Sequence, residues 1–298
     1  MILVVGATGF LGSTICGMLA RQGRSVRAVV RSSSDPVKVQ ALRDLGCDLV
    51  EADLKEPASL KLACAGVDTV VSTATTTLRD QGVDSIPDVD ESGQLHLVEA
   101  AREGGVRHFV YVSFPSDLDG DVPSPLAKAK RAVENALRSS AMTFTILQPA
   151  CFMEVWLGPA IGFDYAGGSA QVFGSGDAPV AYISLVDVAR FVVASLDHPA
   201  ARNVTLPLVA QNVSMNEAVR TFEAVSGRTF AVRRVPIEAL EQQLAAARSP
   251  LEQSFGTLML GVARGAAQQM DERQAAFGIE CATVEEYARR SVTPIATS

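Results

Sequence analysis

Val4-Val5-Gly6-Ala7-Thr8-Gly9-Phe10-Leu11-Gly12 decides how this chain folds. An apolar, β-branched run from Ile2 to Val5 stops at Gly6, and a helical pattern takes over across Leu11–Gln22. A strand that turns through glycines straight into a helix leaves unpaired N–H groups at the helix start, facing whatever lies at the turn. Gly6 and Gly9 let the backbone turn tightly and approach an anion with no Cβ in the way, and Gly12 lets the helix lie close on the strand. A glycine triplet alone also suits an ordinary strand-to-helix turn, so its surroundings have to carry the reading.

Outward from that turn, short β-branched runs alternate with helical spacing for about half the chain. Strands are expected at Met1–Val5, Ser25–Val30, Asp48–Ala52, Thr69–Ser72, His108–Ser113 and Thr143–Leu147. Helices are expected at Leu11–Gln22, Pro36–Leu45, Ala58–Ala63, Ser92–Glu103 and Leu126–Ser139. Repeated β-α units with continuously apolar strands mean a parallel sheet covered on both faces. The fold class is therefore α/β: a Rossmann-like, doubly wound parallel sheet with a smaller, mostly helical substrate lobe. Residues 1–150 form the nucleotide-binding domain. After Pro149 the rhythm gives way to a loop-rich stretch with Trp156, Tyr165 and several glycines. Val186–Leu196, with Ser184 or Asp187 as cap, and Asn203–Leu206 read as a helix and strand that rejoin the sheet, so 183–206 belongs to the first domain. The lobe is then discontinuous, 151–182 and 207–298. Ser214 with Glu217 marks a capping box, and Ala239 to Met270 is helical in composition.

Composition narrows the function. With 26 Lys and Arg against 33 Asp and Glu, the net charge is −7 and no basic block stands out, so nucleic acid is not an expected partner. Met1 runs at once into the Ile2–Val5 strand, which reads as neither signal peptide nor membrane span; a cytoplasmic protein that does not engage membranes is expected. The five cysteines lie far apart with no C-x-x-C pair and are expected as reduced, mostly buried thiols. The three histidines have no ligand-like spacing, so no metal is expected, and no G-x-S-x-G elbow supports hydrolase chemistry.

A glycine turn at the first β-α junction, followed by further β-α units, points to a dinucleotide, with Thr8, Phe10 and Leu11 among the contacts. Which dinucleotide depends on the end of the second strand, Val30-Arg31-Ser32-Ser33-Ser34. Arg31 offers a fork of donors suited to a 2′-phosphate, with Ser32 beside it, so NADP(H) is preferred. If Arg31 is instead a solvated surface residue, Asp35 would serve the ribose and NAD(H) would be the cofactor. Asp53-Leu54 closes the third strand, where the carboxylate either accepts from the adenine amino group or caps the next helix. Thr73 and Ala74 follow the fourth strand with small side chains that leave room for a ribose, or that simply pack tightly.

Gly6 to Gly12, Arg31, Asp53-Leu54, Tyr111-Val112-Ser113-Phe114, Lys130-Arg131-Ala132-Val133-Glu134 and Thr145-Ile146-Leu147-Gln148-Pro149 together resemble the NmrA-like family of atypical short-chain dehydrogenases. Ile183 to Ala189 and Thr283 to Tyr287 extend the likeness over nearly the whole chain, and the G-x-x-G-x-x-G spacing agrees with it. The resemblance implies an NADP(H)-dependent oxidoreductase that moves a hydride between the nicotinamide and a small, fairly apolar substrate, as a monomer or homodimer. It departs from the wider group in one respect: where Tyr-x-x-x-Lys is usual, Leu126 stands four before Lys130. Lys130 is then the candidate catalytic or cofactor-binding residue, with Lys128 the rival position and a solvated helix face the plain alternative. Ser113 is the second catalytic candidate, or caps a turn before Pro115. Gln148 replaces the family's arginine. Phe114, Phe152, Met153 and Trp156 are expected along the substrate cleft, Phe152 also near the cofactor, although such side chains are more often plain core. The missing tyrosine also leaves open a non-catalytic sensor of NADP(H) that binds a protein partner.

Overall fold

The computed structural model describes residues 1–77, 79, 81–119 and 123–292. Its central sheet holds seven parallel strands, β1 (Ile2–Val5), β2 (Val26–Val30), β3 (Asp48–Glu51), β4 (Thr69–Ser72), β5 (His108–Val112), β6 (Thr143–Pro149) and β7 (Val204–Leu208), in the order β7-β6-β5-β4-β1-β2-β3. The chain runs outward from β1 to β3 and then crosses back to β4 on the other side of β1. That reversal makes the carboxyl ends of β1 and β4 the switch point at which doubly wound sheets hold their ligands.

The apolar run of β1 is buried on both sides because helices cover both faces. Ile2 and Val4 point into a cluster with Ile15 and Leu19 of α1 (Phe10–Arg21) and Val188 and Val192 of α6 (Leu185–Ser195). Leu3 and Val5 point the other way, onto Leu60 of α3 (Pro57–Cys64), Leu97 of α4 (Gln94–Glu103) and Val133 and Leu137 of α5 (Pro125–Ser139). The remaining helix of this half, α2 (Pro36–Asp44), is capped by Asp35, whose side chain accepts from Val37 N–H. Ser184 caps α6 by accepting from Asp187 N–H, the first of the two caps considered. The helix expected from Ser92 starts earlier, as a wide π-helical run over Ile86–Gly93, and a Cβ at Gly93 would sit 2.8 Å from Leu54 Cβ. Four of the five cysteines are buried, and all are free thiols.

The lobe has its own core, in which Phe163 packs edge-on against Phe222 with ring centroids 4.9 Å apart. It contains α7 (Met215–Ser226), α8 (Ile237–Ala246), α9 (Pro250–Arg264) and α10 (Val284–Val292). The capping box of Ser214 and Glu217 opens α7. The helical stretch read from Ala239 to Met270 is broken before Pro250, and a second capping box, Ser249 with Glu252, restarts it as α9. Two small three-stranded sheets, which composition does not reveal, complete the lobe. One joins Cys151–Phe152, Pro179–Ile183 and Gln211–Ser214, and the other Phe163–Asp164, Ser169–Phe173 and Ala231–Val235. Strands of two to five residues are too short for alternation to stand out. Among the described residues no helix is long and apolar enough to cross a membrane.

One buried group makes the sheet sensitive to acid. His108 Nε2 lies 2.8 Å from Thr145 Oγ1, whose own proton goes to Ala201 O at 2.6 Å, so Nε2 must be the donor. Burial, helped by the charge of Arg202, lowers the imidazole pKa to about 4. With the folded value below the unfolded one, this contribution is whole above pH ~6.5 and is lost as pH falls toward 4. Urea denaturation is expected to show on the order of 1–2 kcal/mol lost between pH 7 and 5. His108→Gln, which keeps a donor for Thr145, should flatten that slope; an unchanged slope would remove His108 as its source.

Candidate active site

The glycine turn has two kinds of glycine. Gly6 has φ +89°, and a Cβ there would meet Thr73 Oγ1 at 2.7 Å and Ala74 N at 2.9 Å; one at Gly12 would meet Gly6 O at 2.2 Å. Both are demanded by packing at the meeting of β1, β4 and α1. Gly9 differs: it precedes α1 with no side chain capping the helix, and its Cβ would touch only Gly6 O, at 3.2 Å. The amides of the first turn are therefore uncapped at a point where backbone alone forms the surface, a cradle suited to a diphosphate. Thr8 is half-buried and Phe10 is 57% exposed beside the turn, whereas Leu11 lies in the core and offers only its backbone.

At the carboxyl ends of β2 and β3, Arg31 is not a solvated residue. Its Nη1 is 2.6 Å from Asp84 Oδ2, and Lys55 Nζ reaches Asp84 Oδ1 at 3.0 Å. Burial pulls the Asp84 pKa upward, but hydrogen bonds from Arg31 and Lys55 outweigh it and hold the carboxyl below its ordinary value. Ser32 is exposed beside Arg31, and Ser34 Oγ accepts from Arg31 N–H. Asp35 caps α2, its Oδ1 accepting from Val37 N–H at 2.8 Å. Asp53 turns out to be neither free nor the cap of α3: Oδ1 accepts from Lys55 N–H at 2.9 Å, a local turn. Leu54 is buried in the sheet core, so only its backbone faces this end of the site.

Thr73 and Ala74 do follow β4 beside the glycine turn, with Thr73 Oγ1 donating to Val5 O at 3.2 Å and Ala74 O accepting from Gln94 at 3.0 Å. The choice between the two lysines of α5 is clear in space. Lys128 is exposed, while Lys130 is 5% exposed, with Nζ 3.4 Å from Asp90 Oδ1 and 5.2 Å from the Tyr111 ring centre. Asp90 is held in place by Thr76, which donates from both N–H (3.0 Å) and Oγ1 (2.7 Å). Burial works against the Lys130 charge, yet Tyr111 and Asp90 outweigh it and raise the pKa, so the group is an ammonium at neutral pH. It can donate a proton or a hydrogen bond and cannot act as a base.

Ser113 does not match its expected role. Its hydroxyl donates to Glu134 Oε1 at 2.7 Å, so that proton is unavailable to a ligand carbonyl. Gln148 Nε2 donates to the same oxygen at 2.9 Å, and Arg138 reaches Oε2 at 3.0 Å. Arg131 also pairs with Glu134 and places its guanidinium 5.2 Å from the ring centre of Phe114. Glu134 thus ties together the ends of β5 and β6 and one face of α5. Leu126, in the place of the usual tyrosine, packs with Ile86 and Leu251 and gives its N–H to Ser254 Oγ of α9 at 3.1 Å.

The expected cleft wall needs correction at two positions. Met153 is wholly inside the lobe core, and Trp156 packs edge-on against Phe173 at 6.3 Å, because both sit on a short helix folded against that core. Phe152 is half-buried against the central core, and Phe114 half-buried where lobe and α5 meet. An open cavity of about 450 Å³ lies instead between Thr77, on the loop leaving β4, and Ile161, Gln171, Phe255 and Met259. Phe255 and Met259, four apart on α9, look like core in the sequence, and nothing local says that the helix packs on α5 and turns these side chains toward the loop after β4.

Strand order and glycine turn define a doubly wound α/β protein of the Rossmann type. The chain belongs to the NmrA-like family, whose model matches residues 1–288. It is 30% identical over 313 aligned residues to isoflavone reductase homolog IRL of Zea mays, covering 97% of each chain. It is 30% identical to the photosystem II assembly factor Ycf39 of Synechocystis, covering 80% of this chain and 72% of that protein. Among solved structures, the NADPH-dependent quinone oxidoreductase of Escherichia coli complexed with NADPH matches with a TM-score of 0.78 at 20% identity, over 98% of this chain and 100% of that one.

Proposed function

We propose that this protein is an NADP(H)-dependent reductase of small, fairly apolar organic substrates. The observation that carries the reading is the uncapped start of α1 at Gly9, opening at the β1/β4 crossover beside Arg31. The turn from Gly6 to Gly12, with Thr8, Phe10 and Leu11, holds the diphosphate through the uncapped amides at the start of α1, the Gly9 N–H itself being given to Gly6 O; Arg31 and Ser32 take the 2′-phosphate. Asp53 and Leu54 border the adenine, Thr73 and Ala74 the ribose, and Phe152 the nicotinamide side. When bound, the cofactor supplies the hydride. Lys130, kept protonated by Asp90, is the residue we assign to hold the ribose or deliver the proton, and Ser113 positions the end of β5 through Glu134. Phe114 and the cavity below α9 receive the substrate, while Met153 and Trp156 support its wall from inside the lobe. We take residues 1–150 with 183–208 as the cofactor domain and 151–182 with 209–298 as the lobe, since Pro207 and Leu208 still pair with Gln148 and Pro149 in the central sheet; 293–298 lie outside the described residues. The free, buried thiols suit a reducing compartment, and we place the protein in the cytoplasm as a monomer or homodimer.

The test is NADPH oxidation, followed at the nicotinamide absorbance band, against a panel of quinones, enones and azo compounds. Lys130→Met is expected to lower kcat by about 100-fold or more while the affinity for NADPH changes far less. A Lys130→Met enzyme that folds and turns over normally would remove the lysine from the chemistry.

Leu126 favours a second reading, a non-catalytic NADP(H) sensor that docks a protein partner, because the place of the usual proton donor is filled by apolar packing. The assembly-factor relative supports it. Tight NADPH binding with no turnover across the panel selects this alternative.

A further inference from the structure

We propose that Asp84 is an internal stand-in for the 2′-phosphate of NADP(H). Its carboxylate occupies a receptor made by Arg31 and Lys55 and leaves it when the phosphate arrives, so Lys55 and Asp84 set cofactor preference in opposite directions. The inference rests on the cofactor reading above and adds two residues to it.

Arg31 follows the last residue of β2 and Lys55 lies four residues beyond the end of β3, and these strands are neighbours in register, Val30 opposite Glu51. The two cations therefore emerge side by side at the carboxyl edge of the sheet. Each grips a different oxygen of the same carboxylate, at 2.6 Å and 3.0 Å, and Lys55 Nζ also reaches Val83 O at 3.0 Å. The Asp84 side chain is 5% exposed, so this is a packed anion site and not a chance surface pair. Asp84 lies one residue before Ser85, which caps the helical run over Ile86–Gly93, so the anion comes from the stretch between β4 and that run and not from β2 or β3.

A carboxylate brings one charge and two oxygens to two cations. A phosphate monoester brings about −1.5 to −2 and three strong acceptor oxygens, and so satisfies both cations better. The ribose hydroxyl of NAD(H) brings no charge and cannot displace Asp84. NADP(H) must therefore displace a resident anion that NAD(H) leaves undisturbed.

Titration calorimetry on the full chain with NADPH, NADH and 2′,5′-ADP, which carries the phosphate without the nicotinamide, tests this. Lys55→Gln is expected to weaken NADPH and 2′,5′-ADP by about tenfold, the worth of one charge-assisted hydrogen bond, and NADH by less than about twofold. Asp84→Asn is expected to tighten NADPH and 2′,5′-ADP by about fivefold with NADH unchanged. Asp84→Ser, melting like wild type, serves the same purpose should the asparagine variant misfold. Equal shifts for NADPH and NADH in Lys55→Gln, or weaker NADPH binding in both Asp84 variants, would overturn the proposal while leaving the cofactor reading intact. Wild-type protein that binds neither dinucleotide overturns the cofactor reading first and this inference with it.

Discussion

Gly12→Ala is expected to abolish NADPH binding and to lower the melting temperature by roughly 10 °C, since a steric conflict in a packed junction belongs to the class of substitutions costing about 4 kcal/mol or more. The added Cβ would lie 2.2 Å from Gly6 O and 2.9 Å from Ala7 Cα, and neither is a flexible side-chain end that could move aside. Helix α1 would have to lift off β1, taking Leu11, Ile15 and Leu19 out of the core they share with α6. Gly9→Ala provides the contrast. Its Cβ meets only Gly6 O at 3.2 Å, so folding should survive with a shift within about 3 °C while NADPH binding weakens at least tenfold. Differential scanning fluorimetry and calorimetry on the two variants check the pair. Equal losses of stability would mean that Gly9 too serves packing and that the cradle argument is wrong.

Glu134→Ala should be the most damaging single change away from the turn. The carboxylate is 1% exposed and accepts from Ser113, Gln148, Arg131 and Arg138. Removing it leaves the donors of Ser113 and Gln148 without their shared acceptor and takes from Arg131 one of its two carboxylates, Asp119 remaining at 3.2 Å. Leaving buried donors unsatisfied costs about 1–3 kcal/mol each, and the total is measurable as a lower urea midpoint at unchanged slope. The pH dependence has a defined sign. Burial raises the Glu134 pKa, but hydrogen bonds from Ser113, Gln148 and Arg131 outweigh it, so the folded value lies below the ordinary one. This contribution is complete above pH ~4.5 and disappears as pH falls through the folded value. Glu134→Gln keeps the shape and should lose this acid limb; if wild type and Glu134→Gln fall in parallel below pH 4.5, Glu134 is not its origin.

The sequence shows the start of the fold well, because the Ile2–Val5 run and the glycines that follow are local signals that need no partner to be read. It shows the seven strands of the central sheet for the same reason, within a residue or two at the ends. It does not separate Lys128 from Lys130. Two positions on a helix differ by about 200°, so choosing between them requires knowing which face of α5 meets the sheet. Arg131 and Glu134, three apart, look like an ordinary surface pair, and only the meeting of β5, β6 and α5 makes Glu134 a buried hub. Asp84 is silent in the sequence, since its partners lie 53 and 29 residues away. Met153 and Trp156 face the lobe core and not a cleft, because hydrophobicity does not distinguish a wall from what stands behind it.

The late arrival of β7 has a consequence for how the molecule is made. A ribosome that has delivered the first 150 residues has released a sheet whose outermost strand, β6, still lacks its neighbour, and whose Leu147 and Ile2 side await Phe191, Val192, Leu206 and Leu208. An open edge beside uncovered apolar surface invites pairing between copies. A fragment cut at residue 150 should therefore precipitate rather than fold, and a nascent chain needs shelter until residue 208 has emerged.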